Sequence, residues 1–211
     1  INHNPEVKEK LEELGIPVLV EMSSYESHPL GRLEWIRLYG VLFGKEEQAD
    51  AFYQEQVAKV EPIMKKDATD QTMAFFYVTS NGSVNVRKPG DYIAKMIQLA
   101  GGSYLPQAVK EDDENALSTM NMQMEDFYAQ AKDADILIYN STIEGELDSV
   151  DTLLAKSPLF ADFKAVKEGK VYCTTADFFQ ETTGIASFIE DLHAVMTGDT
   201  SHELKYLKEV K

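Results

Sequence analysis

The chain has 211 residues, 44% of them hydrophobic and 27% charged, enough apolar content for a substantial core, and its net charge is −16 from 36 acidic against 20 basic residues. A surface of that sign repels phosphate backbones and anionic lipid, which argues against nucleic-acid binding and against attachment to acidic membranes. The single cysteine, Cys173, rules out an internal disulfide or a thiol metal cluster, and no run of about 18 apolar residues offers a membrane span.

The chain opens on Ile1, and its first residues read as mid-domain sequence, so a processed or truncated chain is expected. Residues 5–14, with Pro5, Val7, Leu11 and Leu14, read as the end of a short helix stopped by Gly15. Ile16-Pro17-Val18-Leu19-Val20 then reads as a buried strand, half of an α/β unit. His28-Pro29 opens a helical block that reaches Gly44, because proline is tolerated in a first turn. A second block carries Ala49, Phe52, Tyr53, Val57, Val60 and Met64 at helical spacing. The two together predict nearly continuous helix over residues 29–66, a rod of roughly 50 Å at 1.5 Å per residue and longer than an ordinary crossover helix.

An α/β pattern resumes beyond Gln71. Met73–Val78 predicts a strand, Ser83–Arg87 a second one after the Asn81-Gly82 turn, and Asp91 caps a helix that ends at Gly101-Gly102. Residues 105–121 read as a long polar loop able to fold over a ligand. Met124, Phe127, Tyr128 and Ala131 mark a helix and Ile136–Tyr139 a strand. Leu153–Phe163 reads as short helical pieces, and Lys170–Thr174 as the last strand, in which Cys173 serves as a small buried hydrophobe. Ile185, Phe188, Ile189, Leu192 and Met196 mark an amphipathic helix, with a smaller one over Ser201–Val210. Strands alternating with helices imply a Rossmann-like, three-layer α/β lobe with a mainly parallel sheet, and in such sheets ligands bind outside the carboxyl ends of the strands.

Catalytic signatures are missing: no phosphate-binding glycine loop, dinucleotide fingerprint or nucleophile elbow occurs. His3, His28, His193 and His202 are scattered, His193 reading as structural. The run Glu111-Asp112-Asp113-Glu114 lacks the glycine and alternating oxygens of a calcium loop and reads as a solvated turn. No cofactor is expected.

Five segments in order resemble the metal-chelate class of solute-binding proteins, which serve ABC importers for ferric siderophores, haem or cobalamin. They are Ser27–Ile36 with Leu42–Ala49, Leu99-Ala100-Gly101-Gly102, Met124–Phe127, Asp133–Ile138 and Lys167–Tyr172. The resemblance implies two α/β lobes joined by a long rigid helix with the ligand between them. Residues 1–28 would end the N-terminal lobe, 29–66 form the interlobe helix, 67–184 the C-terminal ligand-binding lobe, and 185–211 helices packing back toward the first lobe. It implies an extracytoplasmic monomer, periplasmic or lipid-anchored, that takes a small metal chelate and docks on permease subunits. Ferric siderophore ranks first as ligand, then haem, then cobalamin.

The strand-end rule and the resemblance together nominate Arg87 and Lys88 for the oxyanions of a chelate, since arginine offers a planar fork to bidentate partners. Tyr25 is nominated to stack on a flat chelate, or to ligate haem iron, and Asn140, Ser141 and Thr142 to donate hydrogen bonds. Asp177, Phe178, Phe179 and Gln180 follow the last strand; the resemblance implies an acid followed by aromatics facing ligand there. It also implies that Glu125, at a helix start, docks into a permease arginine pocket. The rival reading, a metallocofactor-handling or chelatase-like enzyme of related architecture, requires a histidine or cysteine at a strand end, and the sequence offers none there.

Overall fold

Apolar runs too short for helices and rich in aromatic and β-branched residues build the sheet. The computed structural model describes residues 6–107, 119–178 and 182–211. In it the strands are β1 (Thr72–Val78), β2 (Val84–Arg87), β3 (Ser103–Leu105), β4 (Thr119–Met122), β5 (Ile136–Tyr139), β6 (Val171–Thr174) and β7 (Leu207–Glu209). Their order is β4-β2-β1-β5-β6-β7, with β3 alongside the first half of β1. The centre is parallel, β1 with β3 and β5, and β5 with β6; β2, β4 and β7 join antiparallel at the margins. This is the expected mixed α/β fold with a mostly parallel central sheet.

Alternate residues of the central strands enter two separate cores. Met73, Phe75, Ile136 and Ile138 face one side, and Ala74, Phe76, Leu137 and Tyr139 the other. The helices are α1 (Glu6–Glu13), α2 (Pro29–Phe43), α3 (Glu46–Met64), α4 (Tyr92–Leu99), α5 (Met124–Ala131), α6 (Ser141–Glu144), α7 (Val150–Lys156), α8 (Lys164–Lys167) and α9 (Ile185–Thr197). Val60 and Ile63 of α3, Ile93 and Met96 of α4, and Phe188 and Leu192 of α9 cover the first face. The second is covered by α5, α7, α8 and the 3-10 turn Pro158–Asp162. There Phe76 packs 4.8 Å from Phe127 and 5.4 Å from Phe160, centroid to centroid. Cys173 is a buried free thiol, as expected of a small hydrophobe.

Four expectations need correction. Residues 29–66 are two helices, not one rod. Gly44 takes the left-handed conformation (φ 63°) that ends α2, and α3 turns back against it. Gly40 permits the close crossing, for a Cβ there would lie 2.6 Å from that of Ala49. Arg37 clamps the pair by bonding Asp50 and lying 4.1 Å over the Tyr53 ring. Residues 16–20 form no strand. No strand of the described sheet pairs with them, and Ile16 and Leu19 are 47% and 55% exposed. The expected loop at 105–121 overlaps two strands, Leu105 ending β3 and residues 119–121 belonging to β4, while 108–118, with the acidic run, lie outside the described residues.

Finally, Ser201–Val210 is not a helix. The buried Asp191 carboxylate on α9 accepts from the backbone N–H groups of Lys205, Tyr206 and Leu207 at 3.0, 2.6 and 3.2 Å, and lies 2.7 Å from Nε2 of His202. Those donors are thereby withheld from helix, and the chain leaves as β7. Asp191→Ala should therefore lower stability by about 2–4 kcal/mol, since several buried donors lose a charged acceptor at once. Urea unfolding followed by circular dichroism would read this as a lower midpoint; a midpoint within experimental scatter of the wild type would contradict the anchoring role.

Candidate functional site

In a sheet covered on both faces, the open ground lies where the chain leaves the carboxyl ends of the parallel strands. On the α4/α9 side of that edge lies a cavity of about 220 Å³. Its walls are Tyr92 and Met96 from α4, Phe178 from the segment after β6, Thr182 and Ile185 at the start of α9, and Ser23, Ser24 and Arg32 from the segment leading into α2.

Arg32 is placed by local chemistry. Pro29 begins α2, so residue 32 lies one turn in, directed back toward the 3-10 turn Ser23–Tyr25. Its Nε donates to the Glu26 carbonyl at 2.9 Å and its Nη2 to the Ser24 carbonyl at 2.6 Å. Its guanidinium lies 3.6 Å from the centroid of the Tyr92 ring. Desolvation draws the Arg32 pKa below its ordinary value, yet guanidinium stays charged at any physiological pH.

Behind Tyr92 stands a buried ion pair. Asp91 caps α4 by accepting from the Ile93 N–H at 2.9 Å, and its Oδ2 lies 3.7 Å from Nη1 of Arg87. Burial pushes the Asp91 carboxyl up, opposed first by Arg87, then by the Ile93 N–H and by Arg32. The Arg87 side chain is only 15% exposed, its guanidinium 5.8 Å from the Tyr92 ring. The Tyr104 hydroxyl donates to its carbonyl at 2.7 Å.

The residues nominated from sequence are thus distributed unevenly. Tyr25 is exposed and adjoins the two serines of the cavity wall. Arg87 is committed to Asp91 within the lobe, and Lys88 beside it is partly exposed. Asn140 is a helix cap, its side-chain oxygen accepting from both the backbone and the hydroxyl of Thr142. Ser141 is 2% exposed, its N–H donating to Thr174 and its hydroxyl unpaired among the described residues. Neither Asn140 nor Ser141 lines the cavity. Phe178 lines the cavity and is also a core residue, 8% exposed, with its ring 4.2 Å from Phe188. Asp177 is exposed, while Phe179 and Gln180 lie outside the described residues. Glu125 is exposed in the first turn of α5.

Sequence reasoning missed Arg32, Ser23, Ser24 and Tyr92. The usable signal was Pro29 at a helix start with a cation one turn later, which aims that cation at the preceding loop. His193 is structural. The Lys66 ammonium must donate to Nε2 at 2.9 Å, which leaves Nδ1–H to donate to the Ala100 carbonyl at 2.9 Å. Among the described residues no cluster of three or more His, Cys, Asp or Glu side chains is assembled to hold a metal, and no helix is long and apolar enough to cross a membrane.

Comparison with known proteins places this geometry. A family described as periplasmic binding protein matches residues 3–178. Two uncharacterized lipoproteins of Methanocaldococcus jannaschii are each 28% identical to the chain. MJ0878 matches over 174 residues, 81% of this chain and 40% of its own length, and MJ0872 over 216 residues, 97% and 53%. The chain thus spans about half the length of the curated relatives it matches. Three solved structures share the fold. A possible iron-binding periplasmic solute-binding protein from Staphylococcus epidermidis has a TM-score of 0.67 at 18% identity, covering 92% of this chain and 72% of its own. A protein of an ABC-type Fe3+-hydroxamate transport system from Saccharomonospora viridis has 0.68 at 20%, covering 89% and 64%. The periplasmic heme-binding protein HutB of Vibrio cholerae has 0.68 at 17%, covering 89% and 72%.

The Asp91–Arg87 pair yields a pH test. A carboxyl whose pKa is raised on folding holds its proton more tightly in the folded state, so its ionisation erodes stability as pH rises. Removing the cation raises it further. Arg87→Met should therefore cost about 1–3 kcal/mol at neutral pH, and the deficit should shrink as the pH falls toward about 4.5. Thermal melts of wild type and variant at both pH values check it; an equal deficit at both would contradict the pairing.

Proposed function

Because the chain belongs to the periplasmic binding protein family, we propose that it forms the C-terminal part of an extracytoplasmic receptor that captures an iron complex and hands it to an ABC importer, performing no chemistry itself. The observation that carries the reading is the cavity at the carboxyl edge of the sheet, one wall built from the α/β lobe and the other from the segment 23–32 that leads into α2. A ligand there touches two parts of the chain joined through α2 and α3, which is the arrangement a capture-and-release device needs. The named cargoes of the structural neighbours, iron, Fe3+-hydroxamate and heme, favour an iron complex. A ferric siderophore ranks first, then haem, then cobalamin. The lipoprotein relatives favour a position outside the cytoplasm, at a membrane surface.

In this reading residues 67–184 are the ligand-binding lobe, 29–66 connect it to a first lobe, and 1–28 end that first lobe. Tyr25 and Phe178 supply apolar and aromatic contact. Arg87 and Lys88 add positive charge behind the cavity, Asn140, Ser141 and Asp177 border the same carboxyl edge, and Phe179, outside the described residues, is assigned a further aromatic contact with ligand. Glu125 meets the permease. Its carboxylate is exposed in the first turn of α5, where the helix dipole favours an anion.

Trp35, the only tryptophan, lies on α2 close to Arg32 and makes a natural reporter. Titrating the full-length protein with a ferric siderophore, haemin and cyanocobalamin should give saturable quenching by at least one. Ligand at about a hundred times its Kd should add about 2.7 kcal/mol to stability. Failure of all three to quench or to raise Tm sinks the receptor reading. Glu125→Lys should leave that affinity unchanged and reduce uptake in cells by about tenfold, the scale of a lost charged contact. Undiminished uptake would remove Glu125 from the docking surface.

A further inference from the structure

The cation that faces the cavity is Arg32, and its partners are unusual for a chain with 36 acidic residues against 20 basic ones. Its two hydrogen bonds go to backbone carbonyls, of Ser24 and Glu26, and one face is laid against Tyr92. No carboxylate of the described residues lies within ion-pair distance, and Nη1 has no partner among them. Asp91, the nearest buried acid, is taken by Arg87. Arg32 is thus partly desolvated, fixed along one edge and one face, and influenced by Asp91 and Glu21 only at a distance, without a direct ion pair among the described residues.

Such a group is costly to keep unless an anion completes it, because a desolvated charge seeks a partner. A guanidinium held in place loses little further rotamer freedom on binding, and its open edge suits a planar two-oxygen acceptor. Ser23 and Ser24 line the same cavity, together with the apolar residues Met96 and Ile185. The cavity, at about 220 Å³, falls below the roughly 300 Å³ at which whole-ligand pockets begin, so it admits one arm of a chelate while the rest lies in the cleft outside.

We infer that Arg32 reads the charge of the cargo: the cavity takes a carboxylate arm of an anionic iron complex, and the protein discriminates against neutral complexes. The inference rests on the receptor reading above and narrows it to a ligand class.

The test compares anionic probes, ferric citrate and haemin, with neutral ones, a ferric trihydroxamate and cyanocobalamin, by tryptophan quenching of the full-length protein. Wild type should prefer an anionic probe, with affinity that falls as salt rises. Arg32→Gln should weaken that probe by about tenfold to a hundredfold, the worth of one charge-assisted pair, and leave any neutral binder within about twofold. Arg32→Lys should recover part of the loss. Equal loss for neutral and anionic probes, or no loss, overturns the inference. If the glutamine variant does not fold, the wild-type preference and its salt slope still decide, and equal or better binding of neutral complexes overturns the inference while the receptor reading stands. Binding of no probe at all overturns both.

Discussion

The central strands β1 and β5 are buried on both faces, and the rest of the molecule follows from that constraint. Their residues alternate between two cores, so each face needs its own helical cover. Once α3, α4 and α9 close one face and α5, α7 and α8 the other, the helices leave only the ends of the strands uncovered. The amino ends are tied down locally. The Asp135 carboxylate accepts from the backbone and hydroxyl of Thr72, each at 2.8 Å, and from the Lys164 ammonium at 2.7 Å. The cavity accordingly lies at the carboxyl ends. Its place is a consequence of hydrophobic burial before any ligand is considered.

The helix pair α2/α3 shows how the same constraint reaches beyond the sheet. A single rod of about 35 residues would touch the lobe over only part of its length. Broken at Gly44, the segment puts both halves to use. α3 buries Val60 and Ile63 in the core shared with α9, while α2 leans on α3 and carries Arg32 to the cavity. Stiffness in this arrangement comes from side-chain packing, through Gly40 on Ala49 and Arg37 on Asp50 and Tyr53, and not from an unbroken helix. Relative motion across the cavity is then limited by a packed interface, which favours small displacements over a wide hinge swing.

What could be read from the sequence follows the range of the interactions responsible. The strands at 72–78, 136–139 and 171–174, and the helices at 92–99 and 185–197, were legible because apolar period and caps are local signals; Asp91 as an N-cap is one of them. The segment 201–210 was misread because its conformation is imposed by Asp191, a residue of α9 whose carboxylate collects three N–H groups that no local pattern marks. The packing of Phe178 was not legible, because its partners Phe188 and Tyr206 lie 10 and 28 residues downstream in the chain. In the candidate site the strand-end rule found the right edge and nominated Arg87. It had no means of finding Arg32, which arrives from a helix outside the sheet.

Arg87 and Arg32 together explain why a cavity cation persists in so acidic a chain. Asp91 sits between them electrostatically, since both arginines lower the pKa that burial raises. It is close enough to pair only with Arg87. If Arg87 were absent, Asp91 would be a buried anion with Arg32 as its remaining cationic neighbour, and Arg32 would be drawn toward neutralising it. By holding Asp91, Arg87 leaves Arg32 uncommitted, while Tyr92 and the carbonyls of Ser24 and Glu26 keep its guanidinium in one orientation. A residue that touches no ligand can in this way set the charge a ligand meets, and the cost is carried by the burial of Asp91 in the fold.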